Sequence, residues 1–202
     1  MSAGRAVNFA LYYAGWFACV LGPAWGWPWT GTAIALVLLS GHLALVERRG
    51  DELALMLAAA TIGVVVDSAQ IAAGLLRFPS GTILGWLPPA WLIVLWAQFA
   101  ATFHFSMGWM KGRPRTAALF GAVGGPLAFL AGHRLGIVDF HPAGWPSLLS
   151  LAVVWGAVMP LLVAIAARQD GRAGVGQYRA WRGRKTKDEG RRTKDEGRKT
   201  KD

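Results

Sequence analysis

The chain has 202 residues and a net charge of +10, yet 54% of it is hydrophobic and only 16% is charged. Soluble domains carry about 25% charged residues, so the composition excludes an ordinary water-soluble domain and points to the membrane class. The basic excess sits in loops and a mixed-charge tail, with no recognition motif or aromatic-interleaved basic patch, which argues against nucleic acid as a partner.

No charged residue falls between Arg5 and Glu47, a gap of 41 positions. One helix of that length would far exceed a hydrocarbon core of about 30 Å, so two spans are predicted, 6–22 and 30–46. They are separated at Gly22–Gly31 (GPAWGWPWTG), where two prolines oppose helix and three tryptophans suit the headgroup layer. Asn8 lies near the start of the first span, and His42 lies four residues from the end of the second. Cys19, the single cysteine, excludes an intrachain disulfide and reads as a small packing residue.

The third span is predicted at 53–76. Ala60, Gly63, Asp67, Gln70 and Gly74 recur there at steps of three and four, forming one stripe of small and polar residues that must face protein or a hydrated cavity. Asp67 is the only charged residue within any span so drawn. The fourth span, 88–109, carries Gln98 and Thr102 on one face and His104 rotated away from them. The fifth, 116–132, has two small-residue ridges, Gly121-x-x-x-Gly125 and Gly124-x-x-x-Ala128-x-x-x-Gly132, expected to make close helix contacts. The sixth is predicted at 147–167. Between these two, His133, Asp139 and His141 are too weak a pattern for a metal site, and none is expected.

The expected fold is therefore all-α, a bundle of about six transmembrane helices over residues 1–170. Six spans put 19 of the 21 basic residues on one side, with only Arg77 and Arg134 opposite, so both termini are expected to be cytoplasmic. Residues 171–202 form a basic low-complexity cytoplasmic tail; from Gly183 a seven-residue unit repeats without any apolar position, which predicts disorder rather than a coiled coil.

Polar groups inside the bilayer are costly and carry the functional information. Asp67 and Gln98 both fall near the midplane. The expected site is a polar-floored cavity open to the cytoplasm, with Asn8, His42 and His104 at its mouth and Asp67, Gln70, Gln98 and Thr102 deeper, forming a ligand or proton pathway. Two functional classes follow. One is a protein that binds or moves a lipid or small apolar ligand, or an accessory subunit of a membrane complex. The other is a membrane-embedded enzyme of lipid modification using Asp67 and a histidine as acid and base. No cofactor is expected; the bilayer, a membrane-protein partner or a second copy of the chain are the expected associates.

Four stretches, Asn8–Gly22 (NFALYYAGWFACVLG), VVVDSAQIAAGLLRF around Asp67, Leu87–Phe103 (LPPAWLIVLWAQFAATF) and Gly125–Gly136 (GPLAFLAGHRLG), resemble the bacterial membrane family catalogued as domain of unknown function 2878. The resemblance covers roughly Asn8 to Ala167 and leaves the repeats outside. It implies a bacterial inner-membrane protein and supplies neither an activity nor functional residues.

Overall fold

A computed structural model describes residues 3–141 and 144–170. The repeat tail lies outside the described residues. Six α-helices follow one another: α1 (Ala3–Ala24), α2 (Pro28–Leu45), α3 (Arg49–Ala72), α4 (Ala90–Ala100), α5 (Pro114–Arg134) and α6 (Gly144–Asp170). Five are long and apolar enough to cross a membrane, and α4 is a shorter apolar helix. Large apolar side chains stand exposed on all five long helices, among them Phe17, Val37, Val65, Leu119 and Val153. A soluble monomer rarely exposes contiguous apolar surface on this scale, whereas hydrocarbon chains solvate it well. The protein is a multi-pass membrane protein.

Local chemistry sets the boundaries. Pro28 and Pro114 each open a helix, at the position where a missing N–H costs nothing. Gly26, at φ +81°, turns α1 into α2 while Trp27 N–H donates to the Gly22 carbonyl at 2.7 Å. Gly74, at φ +69°, ends α3 and is followed by the Leu75 N–H bond to the Gln70 carbonyl. At that end two short antiparallel strands, β1 (Leu76–Arg77) and β2 (Asp139–Phe140), pair Leu76 with Phe140 and Arg77 with Asp139. His133 Nδ1 bonds the Val138 carbonyl there, so its ring serves the turn after α5. Trp25, Trp27, Trp86 and Trp145 lie exposed around the same end.

α4 is the centre of the bundle, packed by α1, α2 and α3, while α6 joins α5 to α3. Two expectations are corrected here. The fourth span is not one helix over 88–109: α4 ends at Ala100, and the chain continues through consecutive turns to a short 3₁₀ helix, Gly108–Met110. No proline or glycine causes the break. It is held by side chains: Asn8 Nδ2 donates to the Ala101 carbonyl at 3.0 Å, and Asn8 Oδ1 accepts from Ser106 Oγ at 2.9 Å. Thr102 Oγ1 donates to the Phe99 carbonyl at 2.6 Å. Irregular backbone at membrane depth is tolerated only inside protein, and residues 101–105 are all buried. Replacing Asn8 with alanine should therefore destabilise the fold by about 1–3 kcal/mol, measured by titrated unfolding in mixed micelles.

The second correction concerns the small-residue ridges. Gly121 and Gly125 do press against α6, where a Cβ at either position would overlap Trp155. Gly124, by contrast, meets only the Phe120 ring, at 3.8 Å or more, and with Ala128 lines an open groove rather than a helix contact. Pro126 and Pro160 sit inside helices α5 and α6, which run on past them.

Candidate functional site: a buried node and an aromatic groove

All seven residues expected to form the site are buried: Asn8, His42, Asp67, Gln70, Gln98, Thr102 and His104. The structure divides them into separate places. His42, near the end of α2, and His104, in the unwound segment after α4, meet on one carboxylate. His42 Nε2 lies 2.8 Å from Glu52 Oε1, and His104 Nδ1 lies 2.7 Å from Glu52 Oε2. His104 Nε2 faces the Ala166 carbonyl of α6 at 3.3 Å. Four chain segments thus converge on a node at the end of the bundle that carries Arg5, Arg48, Arg49 and Arg168.

Glu52 was outside the third span as drawn from the sequence, because α3 begins at Arg49 rather than at residue 53. Asp67 is therefore not the only acid within a span. An acid in the first turn of a helix is ordinarily read as complementing the helix dipole at the surface. The signal that finds Glu52 is the polar stripe itself: two steps of four back from Ala60 land on Met56 and then Glu52, both buried. The stripe ends at Gln70, since Gly74 has left the helix.

Asp67 is fully enclosed and has a different partner. Trp96 Nε1 donates to its Oδ2 at 2.8 Å, and Oδ1 has no partner among the described residues. Gln70 accepts from Ser150 Oγ of α6 through Oε1 at 3.3 Å. Gln98 Nε2 donates to the Ala35 carbonyl of α2 at 3.1 Å, its amide seated where a Cβ on Gly15 would stand. Trp96 and Gln98 are two positions apart on α4, so they leave it on nearly opposite faces. α4 accordingly separates Asp67 from Gln98, and the common polar floor expected for them is not formed. A crevice touching Asn8, Tyr12, His42 and Gln98 holds about 10 Å³, room for roughly one water.

The acid–base pairing of Asp67 with a histidine also fails on distance. His42 and His104, the histidines of the expected site, both hold Glu52, and Asp67 lies fifteen residues further along α3, about 22 Å away along the axis. Asp67→Asn keeps an oxygen for the Trp96 N–H and should leave the yield of folded protein unchanged. Asp67→Leu orphans that buried donor and should destabilise by about 1–3 kcal/mol in the same unfolding assay.

One cavity among the described residues is strongly apolar. It is a groove of about 230 Å³ between α1 and α5, with α4 as its floor. Tyr12 and Trp16 form one wall, Gly124 and Ala128 the other, and Trp96, Phe99 and Trp155 line its base. Trp96 stacks on Trp155 with ring centroids 4.4 Å apart and planes 10° off parallel. Glycine makes that stack possible: a Cβ on Gly63 would overlap Trp96, and one on Gly125 would overlap Trp155. Asp67 therefore fixes the groove floor from behind, through the Trp96 N–H.

The family model for a protein of unknown function (DUF2878) matches residues 5–161. The chain belongs to that family. No curated protein matches it, and no solved structure does. The DUF2878 segment contains Asn8, His42, Glu52, Asp67 and His104 together with the groove walls, and stops within α6 before Ala166. Membership of that family fixes no activity.

Proposed function

We propose that this protein is a lipid-binding protein of the bacterial inner membrane that takes one hydrocarbon chain from the bilayer into the groove between α1 and α5. The observation that carries the reading is the groove itself: apolar, floored by aromatic rings, and opening sideways between two helices that face hydrocarbon. Water is a poor occupant of such a lining, and the molecules at hand in the bilayer core are chains. The glycine-bearing wall from Gly121 to Gly132 is about 17 Å long, close to half of a hydrocarbon core of about 30 Å. A single-leaflet acyl or isoprenoid chain suits that length. The charge asymmetry supports placing the basic end in the cytoplasm.

Gly124 offers a clean test, because a side chain there enters the groove without displacing a helix. Phospholipid carrying a photoreactive diazirine in its acyl chain should crosslink to the wild-type protein at groove residues. In Gly124→Leu the labelling should fall severalfold while the melting temperature does not fall. Labelling spread evenly over the exposed faces of all helices, with no response to Gly124→Leu, would refute chain binding. Labelling replaced by a crosslink between two copies would assign the groove to a dimer contact instead.

A further inference from the structure

The hydrogen count of the node carries a second, independent conclusion. Three hydrogen-bond contacts meet there: His42 Nε2 with Glu52 Oε1 at 2.8 Å, His104 Nδ1 with Glu52 Oε2 at 2.7 Å, and His104 Nε2 with the Ala166 carbonyl at 3.3 Å. Each needs its own hydrogen, so the bonded node holds at least three on these groups. An ionised carboxylate with two neutral imidazoles supplies only two. The Ala166 carbonyl can only accept, which places one hydrogen on His104 Nε2. Imidazole is a stronger base than carboxylate, so the extra proton belongs on His104 Nδ1, giving an imidazolium against the Glu52 carboxylate.

We propose that Glu52 with His42 and His104 is a proton-binding site, and that its proton locks the unwound segment 101–107 to α3 and α6. Removing the proton leaves His104 with one hydrogen for two acceptors, so one of its two bonds must break. What remains is also a net negative charge buried among helices, which is costly unless water or a cation reaches it. Opening of the segment relieves both.

At the start of α3, Arg48 pairs with Asp51, and Arg49 donates to the Ala44 carbonyl at 2.9 Å. Arg5 of α1 and Arg168 of α6 are exposed, as are Arg113 and Arg115 at the start of α5. Glu47 after α2 and Lys111 after the 3₁₀ helix are half-buried. Within the node, His42 and His104 are the bases and Glu52 is the acid.

The node can be read without reference to the groove. The full chain, carrying His133→Gln and His141→Gln to leave two histidines, is labelled with ¹⁵N-histidine and placed in phospholipid bilayers. Near neutral pH one ring should show both nitrogens protonated. Raising the pH should convert it to a singly protonated ring, and amide exchange over 101–107, corrected for its intrinsic pH dependence, should accelerate in step. Glu52→Gln should lack the doubly protonated ring under the same conditions. Two singly protonated rings throughout about pH 5–9 would overturn the proposal, and the wild-type titration decides this even if Glu52→Gln does not fold. A titrating ring with unchanged exchange over 101–107 would overturn the lock. Loss of chain labelling in the groove would leave this result untouched, so the two readings fail separately.

Discussion

Replacing Glu52 with alanine should be the most damaging single substitution in the bundle, costing about 3–5 kcal/mol in unfolding free energy. The loss comes from what stays behind. His42 and His104 are buried to within a few per cent, and each has a short contact to this carboxylate. Without it, His42 Nε2 and His104 Nδ1 each lose the oxygen they meet in the bundle interior, and breaking a buried pair costs far more than the intact pair contributes. Glu52→Gln preserves one acceptor oxygen but puts donors of the amide against a ring N–H, so it should cost about 1–3 kcal/mol. Titrated unfolding of both variants beside wild type gives the order. Equal stability of Glu52→Ala and wild type would mean that the node does not hold the four segments together.

The second large effect is steric. A Cβ on Gly31 would lie 2.1 Å from the Ala18 carbonyl oxygen, and one on Gly121 would lie 2.2 Å from the Trp155 carbonyl oxygen. Both obstacles are backbone, so neither can be relieved by turning a side chain. Gly31→Ala must push α1 from α2, and Gly121→Ala must push α5 from α6, the two most extensive helix contacts in the fold. Overpacking of this kind costs about 1–3 kcal/mol or more. The gain from alanine within a helix, about 0.5–1 kcal/mol, does not offset it. Gly41, also within α2, has nothing near the place of a Cβ, so Gly41→Ala should show that gain alone and raise stability. The order Gly41→Ala above wild type above Gly31→Ala and Gly121→Ala is the result to check.

These substitutions mark what the sequence made legible. Charge gaps located the helices, because an unpaired charge is expensive in hydrocarbon and its absence over some twenty residues is a strong signal. The aromatic and proline-rich stretch at Gly22–Gly31 marked the first turn for the same physical reason. The break after Ala100 left no local mark. Its sequence, AATFHFSM over 100–107, has no glycine or proline to end a helix, and the bonds from Asn8 that stabilise the break come from a residue more than ninety positions away. That break also re-aims His104. On a regular helix it points away from Gln98 and Thr102; through the turns it reaches Glu52. The groove was hidden similarly, since a glycine ridge facing a neighbouring helix and one facing open space have the same spacing. Gly121 and Gly125 took the first course, Gly124 and Ala128 the second.

The polar residues chosen from the sequence were all buried, yet burial serves several ends here. Asn8 and Thr102 hold irregular backbone, Gln98 pins α4 to α2, and Asp67 orients an indole. His42 and His104 make the node only with Glu52, which helix-start statistics disguise as a surface acid.

Occupation of the groove between α1 and α5 by a lipid chain is tested by quantitative lipid analysis of the purified full chain beside Gly124→Leu, after exhaustive detergent exchange. One tightly held chain-bearing molecule per wild-type protein, lost from Gly124→Leu at unchanged fold, is the expected result. Equal lipid in both, or none in either, would contradict it.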